Sequence, residues 1–297
     1  MNYQNSRLCR SLLAACVAIG TVCAGSLLAA PAGAAGGLVL TNATSHFDSV
    51  SSKSVQVDCP AGMQVVGGGS DIPFSGVSVA NRVRLVELRP VHNNNGPDGY
   101  VAVAKEVDAA VTDDWELDVY AVCSDPIPGL YLAGGSGPAG SATVQSADAV
   151  CAPGSVALGG GGLVRNAGFQ ADLRTVAPSQ TGDRFTAVGG EDVDGYDKSW
   201  SMVAYAICAP RPPGYQIHVE TNPGSPTASR KAFTSNCPVG TRLRGSGVAT
   251  DPTAGGGIGL EQVFPQTQLT ATQALAVATE PITADWGPIQ VFAICAT

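Results

Sequence analysis

The stretch Cys59-Pro60-Ala61-Gly62-Met63-Gln64-Val65-Val66-Gly67-Gly68-Gly69 decides the fold, because the same frame returns twice. Cys151-Ala152-Pro153-Gly154 runs on to Gly159-Gly160-Gly161, and Cys237-Pro238-Val239-Gly240 runs on to Gly245-Ser246-Gly247. All three obey C-x-x-G-x4-G-x-G. Each is followed by a matching end, Trp115 to Cys123, Trp200 to Cys208 and Trp286 to Cys295, closing on Tyr-Ala-Val-Cys, Tyr-Ala-Ile-Cys and Phe-Ala-Ile-Cys. Between start and end, Leu85 to Pro90, Leu173 to Pro178 and Leu260 to Pro265 all read L-x4-P. The chain is therefore a triplication with a period of about 85 residues. The repeats fall at 38–128, 129–213 and 214–297. Short proline joints mark the seams: Asp125-Pro126-Ile127-Pro128-Gly129 leads into Leu130-Tyr131-Leu132, and Arg211-Pro212-Pro213-Gly214 leads into Tyr215-Gln216-Ile217.

The repeat reads as strands. Of the 297 residues only 13% are charged, while 37 are Gly and 20 are Pro, a balance that suits short strands and tight turns. No segment sustains an i, i+3, i+4 apolar pattern. An opening strand, a strand entering the first Cys, one carrying the glycines, the L-x4-P strand, a run such as Tyr100 to Ala104, and the Trp-to-Cys strand make five or six per repeat. The fold class is all-β. In the last strand Trp115, Leu117, Val119, Ala121 and Cys123 share one side by period-two alternation, as do Trp200, Met202, Ala204, Ala206 and Cys208. That phase marks the Trp side as core rather than as an aromatic platform for sugars. In the third repeat Trp286-Gly287-Pro288 inserts one residue, and a bulge there is expected to bring Trp286 back inside. The glycine tracts lack the following helix that a nucleotide-phosphate loop requires, so they are read as bulges, corners or close backbone approaches.

Residues 1–34 read as an export signal. Arg7 and Arg10 precede an apolar run from Ser11 to Ala30, and Ala32-Gly33-Ala34 offers small residues for a cut. A membrane anchor is the competing reading, but Pro31 and small residues stand where a charged stop-transfer flank belongs. Leu13-Ala14-Ala15-Cys16 resembles a lipoprotein box, with too short an apolar stretch before it. Cleavage after Ala34 removes two of the 16 basic residues and none of the 24 acidic ones, so the formal charge of −8 becomes more negative. An acidic chain of this kind does not suit nucleic acid or an anionic membrane surface.

The same cut turns nine cysteines into six, two per repeat, since Cys9, Cys16 and Cys23 leave with the signal. Six cysteines permit fifteen pairings. The simplest gives each duplicated unit its own bond: Cys59 with Cys123, Cys151 with Cys208, Cys237 with Cys295. Pairing between neighbouring repeats, such as Cys123 with Cys151, is the alternative.

The C-P-x-G…G-G-G and W…Y-A-x-C frames resemble repeat modules of secreted actinobacterial proteins whose functions are largely unassigned. A fainter resemblance is to the vitelline membrane outer layer protein family, whose three repeats also carry C-P-x-G followed by glycine and end in cysteine. Only Cys59-Pro60-Ala61-Gly62 and Cys237-Pro238-Val239-Gly240 match that start directly, and the units here are longer. This second resemblance implies a β-prism of three sheets with pseudo-threefold symmetry; it transfers no catalytic residue. A three-bladed array or three beads on a string are the alternatives.

Chemistry-bearing residues are sparse. His46, His92 and His218 occupy non-equivalent positions, no G-x-S-x-G elbow occurs, and the paired cysteines leave no thiol. Asp192, Asp194 and Asp197, with Glu191 beside them, are candidate calcium ligands around Gly195, without EF-hand spacing and without counterparts in the other repeats. No cofactor is indicated otherwise. The loops differ while the framework repeats, so recognition is placed on the loop His92, Asn93, Asn94 and Asn95, with Asp251 to Gly257 as its third-repeat analogue in variability. The sequence thus predicts a secreted, non-catalytic binding or structural module for an extracellular glycan, cell wall or protein partner. The alternative is an extracellular hydrolase with a site in the loops.

Overall fold

The computed structural model describes residues 37–297 except 77, 93–97, 108–110, 193, 226, 252–256 and 279–284. The expected export signal, 1–34, lies outside the described residues. Each repeat supplies six strands. The first gives β1 (Leu38–Thr44), β2 (Ser52–Asp58), β3 (Gln64–Asp71), β4 (Val83–Val91), β5 (Gly99–Glu106) and β6 (Asp118–Ser124). The second gives β7 (Tyr131–Ser136), β8 (Val144–Val150), β9 (Ser155–Arg165), β10 (Ala171–Pro178), β11 (Arg184–Glu191) and β12 (Ser201–Pro210). The third gives β13 (Gln216–Asn222), β14 (Arg230–Asn236), β15 (Arg242–Ala249), β16 (Ile258–Pro265), β17 (Ala271–Ala278) and β18 (Ile289–Ala296). No helix occurs among the described residues.

The repeats do not fold into three separate sheets. Strand order is β1-β6-β3-β16-β17-β14 in one sheet, β2-β5-β4-β9-β12-β7 in the second and β13-β18-β15-β10-β11-β8 in the third. Each repeat is split, its first, sixth and third strands in one sheet and its second, fifth and fourth in another. Each sheet is shared by two repeats, and the three close into a β-prism with pseudo-threefold symmetry. This interlocking sets aside both beads on a string and a bladed array. Every disulfide ties one sheet to the next: Cys59–Cys123, Cys151–Cys208 and Cys237–Cys295 each join the residue after a second strand to a sixth strand, with Cα atoms 5.7 Å apart. Closing loops of this length stabilises the fold by about 4 kcal/mol per bond on the chain-entropy model.

The joints between repeats explain two of the repeated motifs. The third strand of each repeat meets the fourth strand of the repeat before it, over one or two residue pairs: Ser70 opposite Val263, Leu163 and Gly162 opposite Glu87 and Leu88, Val248 and Ala249 opposite Val176 and Thr175. Both strands are bulged, at Val66, Leu158 and Arg244 in the third strands and at Val86, Arg174 and Glu261 in the fourth. A bulge bends and twists its strand, so the two cross instead of running on together. At the crossing the last glycine of each triplet faces the L-x4-P strand: a methyl group on Gly69 or Gly247 would lie 2.7 or 2.9 Å from the Pro265 or Pro178 ring, and one on Gly161 would lie 2.7 Å from Arg89 Cα. Pro178 and Pro265, having no N–H to satisfy, thus stand beside the place where the next repeat's glycine approaches the strand.

The first glycine of each triplet packs at the pseudo-threefold axis. A β-carbon on Gly67 would lie 2.7 Å from Gly245 Cα, one on Gly245 would lie 2.8 Å from Gly159 Cα, and one on Gly159 would lie 2.9 Å from Gly67 Cα. The three contacts form a closed ring of backbones. At the middle position the rings of Tyr100 and Phe185 lie over Gly68 and Gly160. The third repeat has Ser246 there, and the smaller Thr272 stands in place of the ring. Side-chain volume is exchanged across one contact.

The Trp faces are interior, as the alternation predicts: Trp115, Leu117, Val119, Ala121 and Cys123 are buried, and so are Trp200, Met202, Ala204, Ala206 and Cys208. Trp286 is buried as well. Gly287, with φ of 76°, turns the chain ahead of β18, so a left-handed glycine outside the ladder does what a bulge was expected to do. At the end of the prism away from the disulfides, Asp172 of the second repeat accepts a hydrogen bond from Arg84 Nη1 at 2.9 Å and forms an ion pair with Lys105, its Nζ 3.2 Å away, both from the first repeat and all three buried.

These contacts set the expected cost of three substitutions. Gly67→Ala is expected to destabilise by about 3 kcal/mol or more in urea titrations because neighbouring backbones must move. Gly62→Ala, at φ of 83° with open space around it, is expected to cost only the left-handed strain of about 1 kcal/mol. Asp172→Asn leaves Arg84 and Lys105 buried without their carboxylate and is expected to cost about 3 kcal/mol or more.

Candidate functional site

The pseudo-threefold gives an internal standard for finding a site. Positions that match in all three repeats are framework, and the place where one repeat departs from the other two is where something else can bind. At the disulfide end, a frame of backbone bonds recurs: Cys59, Cys151 and Cys237 each donate an N–H to the turn between the fourth and fifth strands, at Asp98, Asp183 and Thr270 carbonyls, with distances of 2.7, 2.8 and 2.8 Å. Val65, Ala157 and Leu243 hold one register, opposite Cys123, Cys208 and Cys295. The residue leading into the first strand then closes the gap from the following repeat.

The three gaps are occupied differently, and a wider, shallower cleft of about 600 Å³, lined by Pro178, Gln180, Ile217, Val219 and Phe292 among others, flanks the one between the second and third repeats. Between the second and third repeats, Tyr215 enters and its hydroxyl donates to the Ala157 carbonyl at 2.9 Å, beneath the Arg211 guanidinium at 4.7 Å from the ring. Burial pushes that phenol up to about 12, so it stays a donor. The turn beside it is short. Its Gly182, at φ of 73°, has no room for a β-carbon because the Tyr215 hydroxyl lies there. Asp183 is braced by the Ser179 and Thr181 hydroxyls at 2.5 and 2.9 Å, which hold its carboxyl below the ordinary range. Between the third and first repeats, Leu38 packs against the apolar cluster that holds Leu243 and Leu269, the latter buried at φ of 53°.

Between the first and second repeats the equivalent residue is Leu130, which packs against the same cluster as Leu38 and leaves space beside it. A cleft of about 250 Å³ remains, lined among the described residues by Val65, Pro90, His92, Asp98, Leu130, Tyr131, Leu132 and Ile207. His92 and Asp98 form its polar corner: Nδ1 lies 2.7 Å from Asp98 Oδ1, the carboxylate 8% and the imidazole 52% exposed. A carboxylate accepting from Nδ1–H leaves Nε2 as the imidazole's acceptor. Tyr131 is committed to the framework, its hydroxyl accepting from Ala152 N–H at 2.6 Å.

Of the sequence-predicted residues, His92 sits at this cleft, while Asn93, Asn94 and Asn95 lie outside the described residues. His46 and His218 do not line it. The calcium candidates are not brought together. Asp194 and Asp197 are exposed, Asp194 N–H turns back to Asp192 Oδ1 at 3.2 Å, and burial raises the Asp192 carboxyl. Glu191 points inward to receive Trp200 Nε1 at 3.0 Å, and no group of three or more metal-ligating side chains occurs among the described residues. Sequence reading missed Leu130, Asp98 and Tyr215. The signal was present in the two aligned joints, where Pro-Gly-Leu stands against Pro-Gly-Tyr. It also gave no sign of Phe169, half exposed on the turn between β9 and β10 with φ of 69°, a conformation that strains a bulky residue.

The chain matches no protein-family model and no curated protein sequence. The three tryptophans offer no sugar platform, since each indole N–H is used inside, by Glu106, Glu191 and the Ala228 carbonyl. Acrylamide is expected to quench the native protein's tryptophan fluorescence far less than that of the urea-unfolded protein, and a bound glycan is expected to leave the emission maximum in place; ready quenching of the native state would contradict the interior placement.

Proposed function

We propose that the chain is exported and acts as a non-catalytic binding module, presenting the cleft between its first and second repeats to an extracellular glycan, cell-wall component or protein. The observation that carries this reading is the cleft between the first and second repeats: Leu130 stands where the third repeat has Tyr215, and apolar space stays open beside the His92–Asp98 pair. One disulfide per repeat suits an oxidising compartment, and an interlocked prism is a stable base for a recognition surface. Among the described residues no helix is long and apolar enough to cross a membrane.

A hydrolytic reading draws on one observation, the His92–Asp98 pair, which has the form of a base with its orienting carboxylate. The described lining supplies no serine, threonine or cysteine for that base to activate. Recognition therefore fits the cleft better than turnover.

The test is a pull-down from the producing organism's culture fluid and wall fraction, run with the wild type and with Leu130→Tyr, which places the Tyr215 side chain in the open gap. Capture by the wild type and its loss in Leu130→Tyr, at unchanged melting temperature, is the expected result. Equal capture by both proteins would remove the cleft from the function. Hydrolysis of an ester, peptide or polysaccharide that disappears in His92→Ala would replace binding with catalysis.

A further inference from the structure

The filled gap describes what the open one will take. We infer that the cleft binds a single hydroxylated aromatic ring, a phenol, in the position that Tyr215 occupies between the second and third repeats; this rests on the cleft being the binding site proposed above. Val65 stands in the register of Ala157, opposite the matching disulfide cysteine. Its carbonyl is thereby placed to accept the hydroxyl of a ligand as the Ala157 carbonyl accepts that of Tyr215 at 2.9 Å. Leu130 takes up less of the gap than a tyrosine does, and the volume left is about 250 Å³.

Size and lining narrow the class. An apolar cavity of about 150 Å³ holds a benzene ring, so the cleft has room for one ring with a short substituent and not for a chain of rings. Among the described residues its aliphatic walls are Val65, Pro90, Leu130, Leu132 and Ile207, and its polar side chains are the His92–Asp98 pair and Tyr131, whose hydroxyl is engaged by Ala152 N–H. A pyranose carries hydroxyls around its whole rim, and against aliphatic walls most of them would lose water without gaining a partner, at about 1 kcal/mol or more each. A phenol has one hydroxyl and two apolar faces. It matches a site with one carbonyl at its base and hydrocarbon on its sides, and the His92 imidazole at the mouth meets whatever the ring is attached to. The ring has two natural sources, a free phenolic molecule and a tyrosine side chain of a polypeptide.

Methyl-resolved NMR of the intact exported chain, titrated with p-cresol, tests this directly. The methyl signals of Val65, Leu130, Leu132 and Ile207 are expected to shift. Toluene, lacking the hydroxyl, is expected to bind about tenfold more weakly, and methyl glucopyranoside to leave those signals in place. In Leu130→Tyr, checked for an unchanged melting temperature, p-cresol is expected to leave Val65, Leu132 and Ile207 unmoved. N-acetyltyrosinamide separates the sources: binding at least as tight as p-cresol assigns the site to a tyrosine on a polypeptide, and binding of p-cresol alone assigns it to a free phenol. Absence of p-cresol shifts at these methyls, equal affinity for toluene, or shifts produced by the glucopyranoside would each overturn the inference. If p-cresol fails while a captured partner is still lost in Leu130→Tyr, the cleft is the binding site and only the ligand class is wrong. If the partner is retained in Leu130→Tyr, the binding-site proposal itself fails.

Discussion

Everything in this molecule depends on three backbones approaching one another more closely than any side chain allows. Gly67, Gly245 and Gly159 form a ring in which a β-carbon on each would meet the α-carbon of the next, and only hydrogen at all three positions lets the bulged third strands converge. From that convergence comes the crossing of third and fourth strands, and from the crossing comes the sharing of every sheet between two repeats. The disulfides act on a structure already interlocked, fastening sheet to sheet at one end, while the Arg84–Asp172–Lys105 cluster links the first and second repeats at the other.

A threefold framework in one chain can diverge without losing its shape, because each repeat carries the same backbone bonds. Where Gly68 lies under Tyr100 and Gly160 under Phe185, the third repeat has Ser246 and Thr272, both still buried. Where the third repeat has Tyr215, the second has Leu130 and a cleft beside it. The same pseudo-symmetry that makes the fold robust thus points to the gap at Leu130, where His92 and Asp98 stand.

Much of the framework is legible in the sequence because its causes are local or repeated. Period-two alternation from Trp115 to Cys123 places the core face, equal cysteine positions point to one bond per repeat, and glycine tracts without a following helix point to backbone approach. Sheet sharing is not legible from the repeats, since the pairing of β3 with β16 joins Ser70 to Val263, about two thirds of the chain apart, and leaves no local pattern; only the family resemblance implied a prism. The site was half legible. Loop divergence drew attention to His92, but the cleft exists through an absence, a ring missing at Leu130, and an absence shows only when the three gaps are compared in space. Spacing along Glu191 to Asp197 likewise says nothing of Glu191 turning inward to Trp200.

The central claim is that no repeat is a folding unit by itself, because half of each sheet belongs to a neighbour. Hydrogen exchange on the isolated second repeat, residues 129–213 with Cys151–Cys208 oxidised, tests it most directly. The account predicts amides exchanging at the rates of an unfolded chain, against strong protection of β9, β10 and β12 in the whole protein. Native-like protection of those strands in the isolated repeat would contradict it.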